Sequence, residues 1–147
     1  MSPLPTAVIV EDDTATSALL AAVVRRHGFN PRTAGDGEAA IALLLAELPA
    51  VVLLDLKLPK LSGLEVVRVM RRAFPDLLRR TIVITAMPEP SLSSAGAELR
   101  DVRCVLQKPL DLEVLGDELA LCLDVAEEQG FPGRSDTPSV PPPRRID

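Results

Sequence analysis

A run of four apolar residues, Val51–Leu54, leads directly into the carboxylate of Asp55. An apolar run without polar alternation is typical of a strand that is buried on both faces of a parallel sheet. An isolated charge is costly inside such a core, so we expect Asp55 at the carboxyl end of the strand, where open α/β sheets hold their ligand sites. The sequence therefore predicts that Asp55 is a reactive carboxylate at the edge of a sheet.

Strand-like and helix-like patterns alternate five times along the chain. Apolar, largely β-branched runs predict strands over residues 6–10, 51–54, 81–85 and 102–107. Residues 29–34 predict a weaker edge strand, because Pro31 lies in this segment. Apolar residues at helical spacing predict helices over residues 14–26, 36–47, 62–74 and 91–100, and from residue 111 onward. This alternation predicts an α/β fold, a doubly wound five-stranded parallel sheet of order 2-1-3-4-5 with helices on both faces.

Polar residues mark where three of these helices begin. Asp13 or Thr14 can cap the first helix, Ser62 with Glu65 matches a capping box, and Asp111 can cap the last helix. The segment of residues 91–100 contains three serines and a glycine, so its helix propensity is low. We therefore expect this segment to be mobile and to report the state of a nearby site.

Composition bounds the protein's location and partners. The net charge is −5, and the three aromatic residues are all Phe, which argues against a nucleic-acid partner. No signal peptide and no apolar run near the ~20 residues of a membrane span is found, so we expect a cytoplasmic protein without a membrane partner. Cys104 and Cys122 lack metal-ligand spacing and are expected to be free thiols. We expect one domain over residues 1–125 and a Pro-rich, disordered tail over residues 126–147.

Polar groups stand at the ends of four predicted strands. Glu11 and Asp12 follow the first, Asp55 the third, Thr85 ends the fourth, and Lys108 follows the fifth. Right-handed crossovers gather these groups at one edge of the sheet. Carboxylates about 4 Å apart repel by about 4 kcal/mol per pair at an effective dielectric near 20, so the cluster must hold a proton or a cation. An all-oxygen site of this kind favours Mg²⁺.

A pocket with these groups suits phosphoryl transfer. A carboxylate such as Asp55 can attack phosphorus to give an acyl phosphate while a metal neutralises the incoming oxygens. Thr85 can donate a hydrogen bond to a phosphoryl oxygen, and Lys108 can pair with another. Positioning and charge stabilisation are most of what this reaction needs.

The residues that define this pocket and its surrounding loops form a specific joint pattern. They are Glu11-Asp12-Asp13, Asp55 with Pro59 and Gly63, Thr85-Ala86, and Lys108-Pro109. With these motifs the chain resembles, over roughly residues 5–125, the receiver domain of two-component response regulators, which has a flavodoxin-like fold.

The resemblance implies a role for each site residue. Asp55 would accept a phosphoryl group from a sensor histidine kinase or a phosphotransfer protein. Thr85 would move toward the phosphoryl oxygens and Lys108 would pair with them, and the peptide bond that follows Lys108 would typically be cis. Such a domain catalyses only its own phosphorylation and dephosphorylation and acts through contacts with a downstream protein, here unknown.

The resemblance also implies a metal site. The residues that would hold Mg²⁺ are Glu11, Asp12 and Asp55, together with the backbone carbonyl of Lys57.

Three positions leave alternatives open. The family usually has an aromatic switch residue where this chain has Val105, so a degenerate receiver that acts as an unphosphorylated binding module is one alternative. An aspartyl-phosphate phosphatase is another, but such enzymes carry a second Asp where Lys57 stands. Lys57 and Met87 occupy variable positions that influence the lifetime of the acyl phosphate in the family.

Overall fold

The structure is a computed structural model that describes residues 3–129, without the side chains of residues 89, 90, 127 and 129. Its strands are β1 (Thr6–Val10), β2 (Asn30–Ala34), β3 (Val51–Leu54), β4 (Thr81–Thr85) and β5 (Cys104–Gln107). They form one parallel sheet in the order β2-β1-β3-β4-β5. The fold class and the strand order predicted from the sequence are therefore confirmed.

Helices cover both faces of this sheet. They are α1 (Thr14–Arg26), α2 (Gly37–Ala46), α3 (Gly63–Ala73), α4 (Pro75–Leu78), α5 (Glu89–Ser94) and α6 (Leu112–Gln129). Side chains of α1 and α6 pack on one face, against alternate strand residues such as Ile9 and Leu53. Side chains of α2 to α5 pack on the other face, against Val10 and Leu54. Both faces of the central strands are thus buried, which explains their uninterrupted apolar sequence.

The three predicted helix starts are confirmed by their hydrogen bonds. The Asp13 carboxylate accepts from the Thr16 N–H at 2.8 Å at the start of α1. Ser62 and Glu65 form a reciprocal capping box at α3. The Asp111 carboxylate accepts from the N–H of Glu113 at 3.0 Å, ahead of α6. Each cap satisfies backbone donors that the helix itself leaves unpaired.

Apart from bounds that shift by one residue, the structure differs from the predicted elements at four places. The short helix α4 was not predicted, because a four-residue turn is too short to show helical spacing. Helix α5 begins at Glu89 and ends at Ser94, so residues 95–100 are turns instead of helix. Strand β5 begins at Cys104, two residues later than predicted. Helix α6 continues to Gln129 and so includes residues 126–129, which were predicted to belong to the tail.

The rest of the predicted tail, residues 130–147, lies outside the described residues. Within residues 3–129, no helix combines the length and the hydropathy needed to cross a bilayer.

Candidate functional site

Two neighbouring strands bring the predicted carboxylates together at the carboxyl edge of the sheet. Val10 of β1 lies opposite Leu54 of β3 in the register, and the Asp55 N–H donates to the Val10 carbonyl at 3.0 Å. Glu11 and Asp55 are only 3% and 5% exposed, whereas Asp12 is exposed. Each of these three acids places one carboxylate oxygen within 4.8 Å of the others. We call these three residues the acidic cluster.

The Lys108 ammonium lies against this cluster. Its Nζ donates to Glu11 Oε1 at 3.0 Å and to Asp55 Oδ2 at 3.4 Å. Three carboxylates and one ammonium leave a formal charge of −2 (−3 + 1), so the cluster still attracts cations. The peptide bond between Lys108 and Pro109 is cis, as the resemblance implies.

The pKa values of Glu11 and Lys108 are both raised, which favours the neutral form of the carboxyl and the charged form of the lysine. Burial raises the pKa of the Glu11 carboxyl, and the hydrogen bond from Lys108 offsets only part of that rise. For Lys108, burial lowers the pKa, but the hydrogen bond to Glu11 and the charge of Asp55 outweigh it, so the pKa is raised overall. Lys108 is therefore held as a cation beside the acidic cluster.

The loop after Asp55 is fixed by backbone contacts. The Lys57 N–H donates to Asp55 Oδ1 at 3.1 Å, and the Gly63 N–H donates to the Leu56 carbonyl at 2.9 Å. A Cβ added at Gly63 would overlap the carbonyl oxygen of Asp55 and the Cα of Leu56. Glycine is therefore required where α3 meets the loop. The Lys57 side chain is exposed, and the role of its carbonyl as a metal ligand stays a prediction.

Thr85 is brought to the same edge but stays apart from the acidic cluster. Its side chain is fully buried, and its Oγ1 accepts a hydrogen bond from the Met87 N–H at 3.1 Å. Its carbonyl accepts from the Lys108 N–H at 2.8 Å. Within residues 3–129, the Thr85 hydroxyl makes no hydrogen bond to any member of the cluster.

Sequence reasoning missed two sets of contacts. The amide of Gln107 donates to the Met87 carbonyl at 3.1 Å, beside Thr85. Arg68 and Arg71 of α3 bind the turns after α5: Arg68 pairs with Glu98 at 2.5 Å, and Arg71 pairs with Asp101 at 2.6 Å. The polar residues were visible in the sequence, but no local pattern shows which distant group each one contacts.

The donor set of the acidic cluster fits a hard divalent cation. All three side chains offer carboxylate oxygens, and the described residues place no His or Cys among them. Oxygen ligands in small number, completed by water, are what Mg²⁺ prefers. The cluster is therefore a candidate Mg²⁺ site.

Comparison with known proteins points to one family. The family model for the response regulator receiver domain matches residues 7–120. Response regulator MprA of Mycolicibacterium vanbaalenii is 34% identical over 108 residues, which are 74% of this chain and 46% of that protein. DNA-binding response regulator MtrA of Mycolicibacterium paratuberculosis is 39% identical over 64 residues, which are 44% of this chain and 28% of that protein. The chain thus spans less than half the length of either relative.

A solved structure shows the same fold. The response regulator receiver domain protein (CheY-like) from Methanospirillum hungatei aligns with a TM-score of 0.74 at 23% identity, over 86% of this chain and 99% of that one. At this identity the likeness concerns the fold, and the family rests on the match over residues 7–120. With the strand order and the acidic cluster in agreement, the chain belongs to the response regulator receiver domain family.

Proposed function

We propose that this protein is a phospho-acceptor switch of two-component signalling, in which Asp55 receives a phosphoryl group from a phosphohistidine. The donor would be a sensor histidine kinase or a phosphotransfer protein. One observation carries the proposal: Asp55 shares its pocket with two further carboxylates and with an ammonium 3.4 Å from its own oxygen. A carboxylate that only ends a strand in solvent does not require two neighbouring carboxylates and a paired ammonium.

The described contacts suggest how the step would run. A carboxylate oxygen of Asp55 forms a bond to phosphorus while the P–N bond to the histidine breaks. The phosphohistidine ring, protonated on its other nitrogen, leaves as neutral imidazole. The Lys57 N–H holds Asp55 Oδ1, and Lys108 approaches Oδ2, so both oxygens are oriented before the donor arrives. Lys108 is then placed to pair with a phosphoryl oxygen.

Magnesium would be held by Glu11, Asp12 and Asp55, with the Lys57 carbonyl as a further ligand. It would supply positive charge that neutralises the phosphoryl oxygens. Removal of one carboxylate from this set should therefore weaken Mg²⁺ binding and raise the Mg²⁺ concentration that phosphorylation requires.

Acetyl phosphate with Mg²⁺ tests the proposal without the unknown kinase. We expect an acid-stable, base-labile mass increase of one phosphoryl group, lost in Asp55→Ala and strongly reduced in Asp12→Ala. Asp124→Ala is the matched control, because Asp124 is an exposed carboxylate on α6 away from the cluster. No adduct on the wild type, or an adduct that persists in Asp55→Ala, would contradict the proposal.

A second candidate function is that of a binding module that is never phosphorylated. It is favoured by Val105, which replaces the usual aromatic residue. Val105 lines a cavity of about 400 Å³ together with Leu92, Ser93, Gly96 and Leu99. The acetyl phosphate experiment separates the two candidates, since this one predicts no adduct.

A phosphatase is disfavoured by Lys57, which stands where such enzymes carry a general acid and contacts Asp55 through its backbone N–H. We expect no turnover of phosphate monoesters. The downstream partner is unknown, and the cytoplasmic location stays a prediction from the sequence.

A further inference from the structure

The backbone N–H and the backbone carbonyl of Met87 each make a hydrogen bond to a side chain. The Met87 N–H donates to Thr85 Oγ1 at 3.1 Å, and the Met87 carbonyl accepts from the Gln107 side-chain amide at 3.1 Å. The loop that follows β4 is thus tied to Thr85 on one side and to β5 on the other. These contacts lie outside the acidic cluster.

The register explains why Gln107 can reach this loop. Gln107 is the last residue of β5 and lies opposite Thr85, the last residue of β4. The next residue, Lys108, donates its N–H to the Thr85 carbonyl at 2.8 Å. One short stretch of β5 therefore positions both the ammonium of Lys108 and the loop that holds the Thr85 hydroxyl.

The hydrogen-bonding capacity of the hydroxyl gives this contact a chemical consequence. A threonine hydroxyl offers one proton and two acceptor lone pairs. The Met87 N–H occupies one lone pair of Thr85, and no described residue accepts the hydroxyl proton. Because the Met87 N–H donates to the hydroxyl oxygen, the hydroxyl proton is directed away from Met87, and it can be donated to a phosphoryl oxygen.

We propose that Gln107 is a positioning residue for the phosphoryl site, acting through the Met87 peptide groups on the Thr85 hydroxyl. The inference rests on the proposed function. Gln107 does not touch the reacting atoms, and its amide hydrogen bond is exposed, so its effect is modest. Loss of one neutral hydrogen bond corresponds to a weakening of about two- to tenfold in affinity.

The experiment compares a variant without a donor to one that keeps a donor. Gln107→Met has a similar length but no N–H, whereas Gln107→Lys retains an N–H donor on a long side chain. For each, beryllofluoride affinity is measured with Mg²⁺, and amide hydrogen exchange is measured at Met87. Asn30→Leu is the control, because it removes an amide side chain from the opposite edge strand, where Asn30 is exposed.

We expect Gln107→Met to exchange the Met87 amide faster and to bind beryllofluoride about two- to tenfold more weakly. Gln107→Lys should restore the protection of Met87, and Asn30→Leu should match the wild type in both measurements. Thermal unfolding of each variant checks that the fold is retained.

Two results would overturn the inference. Either Gln107→Met matches the wild type in both measurements, or it loses protection at Met87 while its beryllofluoride affinity is unchanged. If the wild type takes neither a phosphoryl group nor beryllofluoride, the proposed function is wrong. The inference about Gln107 is then wrong as well, because it rests on that function.

Discussion

The acidic cluster and the α5 segment, which we define as residues 89–103, are built differently. The cluster follows strands whose side chains are almost fully buried, and backbone hydrogen bonds hold its loops. The α5 segment is a six-residue helix without a side-chain cap, followed by turns that Arg68 and Arg71 bind from the surface. Segments held by few buried contacts open at lower free energy than core strands. The fold thus places the acidic cluster on a stiff region, whereas the α5 segment that follows β4 is looser.

The largest expected effect comes from the same truncation in both regions. Leu54 is fully buried beside Asp55, whereas Leu92 of α5 is 9% exposed. Leu54→Ala should lower the free energy of unfolding by about 2–5 kcal/mol. Leu92→Ala should lower it by about 2 kcal/mol or less, because a site in a looser segment can collapse around the cavity. Urea denaturation measures both, and equal losses would contradict the difference in stiffness.

A glycine pair tests the stiffness of the loop at Asp55. Alanine at Gly63 should favour the helix by about 1 kcal/mol, but its Cβ overlaps backbone atoms of Asp55 and Leu56 that cannot move aside freely. We expect a net destabilisation of about 1–3 kcal/mol together with slower phosphorylation by acetyl phosphate.

The control is Gly35→Ala, where nothing lies within 4 Å of the added Cβ. This variant should keep its stability or gain slightly, by up to about 1 kcal/mol, since alanine restricts the unfolded chain. If Gly63→Ala were as stable and as reactive as Gly35→Ala, the loop would be softer than the contacts indicate.

Much of the stiff region could be predicted from the sequence because its signals are local. An apolar run that ends in a carboxylate places Asp55, and the capping box at Ser62 places the start of α3. The parallel topology then brings Glu11 and Asp55 together, since residues that follow adjacent parallel strands meet at one edge.

The looser region could not be predicted as well, because its signals are not local. Low helix propensity indicated a weak helix over residues 91–100, but it did not indicate the ion pairs that Arg68 and Arg71 make with residues about 30 positions away in the turns after α5. The same limit applies in the stiff region, where Lys108 pairs with Glu11 across 97 positions in the sequence, because periodicity does not identify such partners. Strand ends show which groups gather at an edge but not which hydrogen bonds they make.

Arg71 offers a smaller test of what holds the α5 segment. It binds the Asp101 carboxylate and the Glu98 carbonyl, both at 2.6 Å, from a side chain that is 36% exposed. Arg71→Ala should lower the free energy of unfolding by about 0.5–1 kcal/mol, a range that allows for screening by solvent. Amide exchange should rise over residues 95–102 and stay unchanged at Asp55.

Arg72→Ala is the matched control, since Arg72 is an exposed arginine of the same helix with no ion pair among the described residues. An increase in exchange at Asp55 as large as that over residues 95–102 would show that the two regions open together.

The smallest expected effect is a difference in the response of the two regions to acid. The hydrogen bond from Arg68 lowers the pKa of the Glu98 carboxyl below its ordinary value of 4.5. The folded protein therefore binds this proton less tightly than the unfolded chain, so the stabilisation is complete above pH 4.5 and is lost as the pH falls through the folded pKa.

Glu11 has the opposite sign, because burial raises its pKa above 4.5. Its carboxyl takes up a proton more readily in the folded protein, so its contribution to stability improves as the pH falls through the raised pKa and is weakest at neutral pH. Acidification from neutral pH to below 4.5 should then reduce protection over residues 95–102, while the Glu11 amide, which donates to the Ala34 carbonyl, keeps its protection. Site-resolved amide exchange measures the protection of both regions. The rates are corrected for the intrinsic effect of pH on exchange, and the buffer contains a chelator. Glu98→Gln should abolish the loss over residues 95–102, and a loss that persists in this variant would assign the acid sensitivity of the α5 segment to another carboxylate.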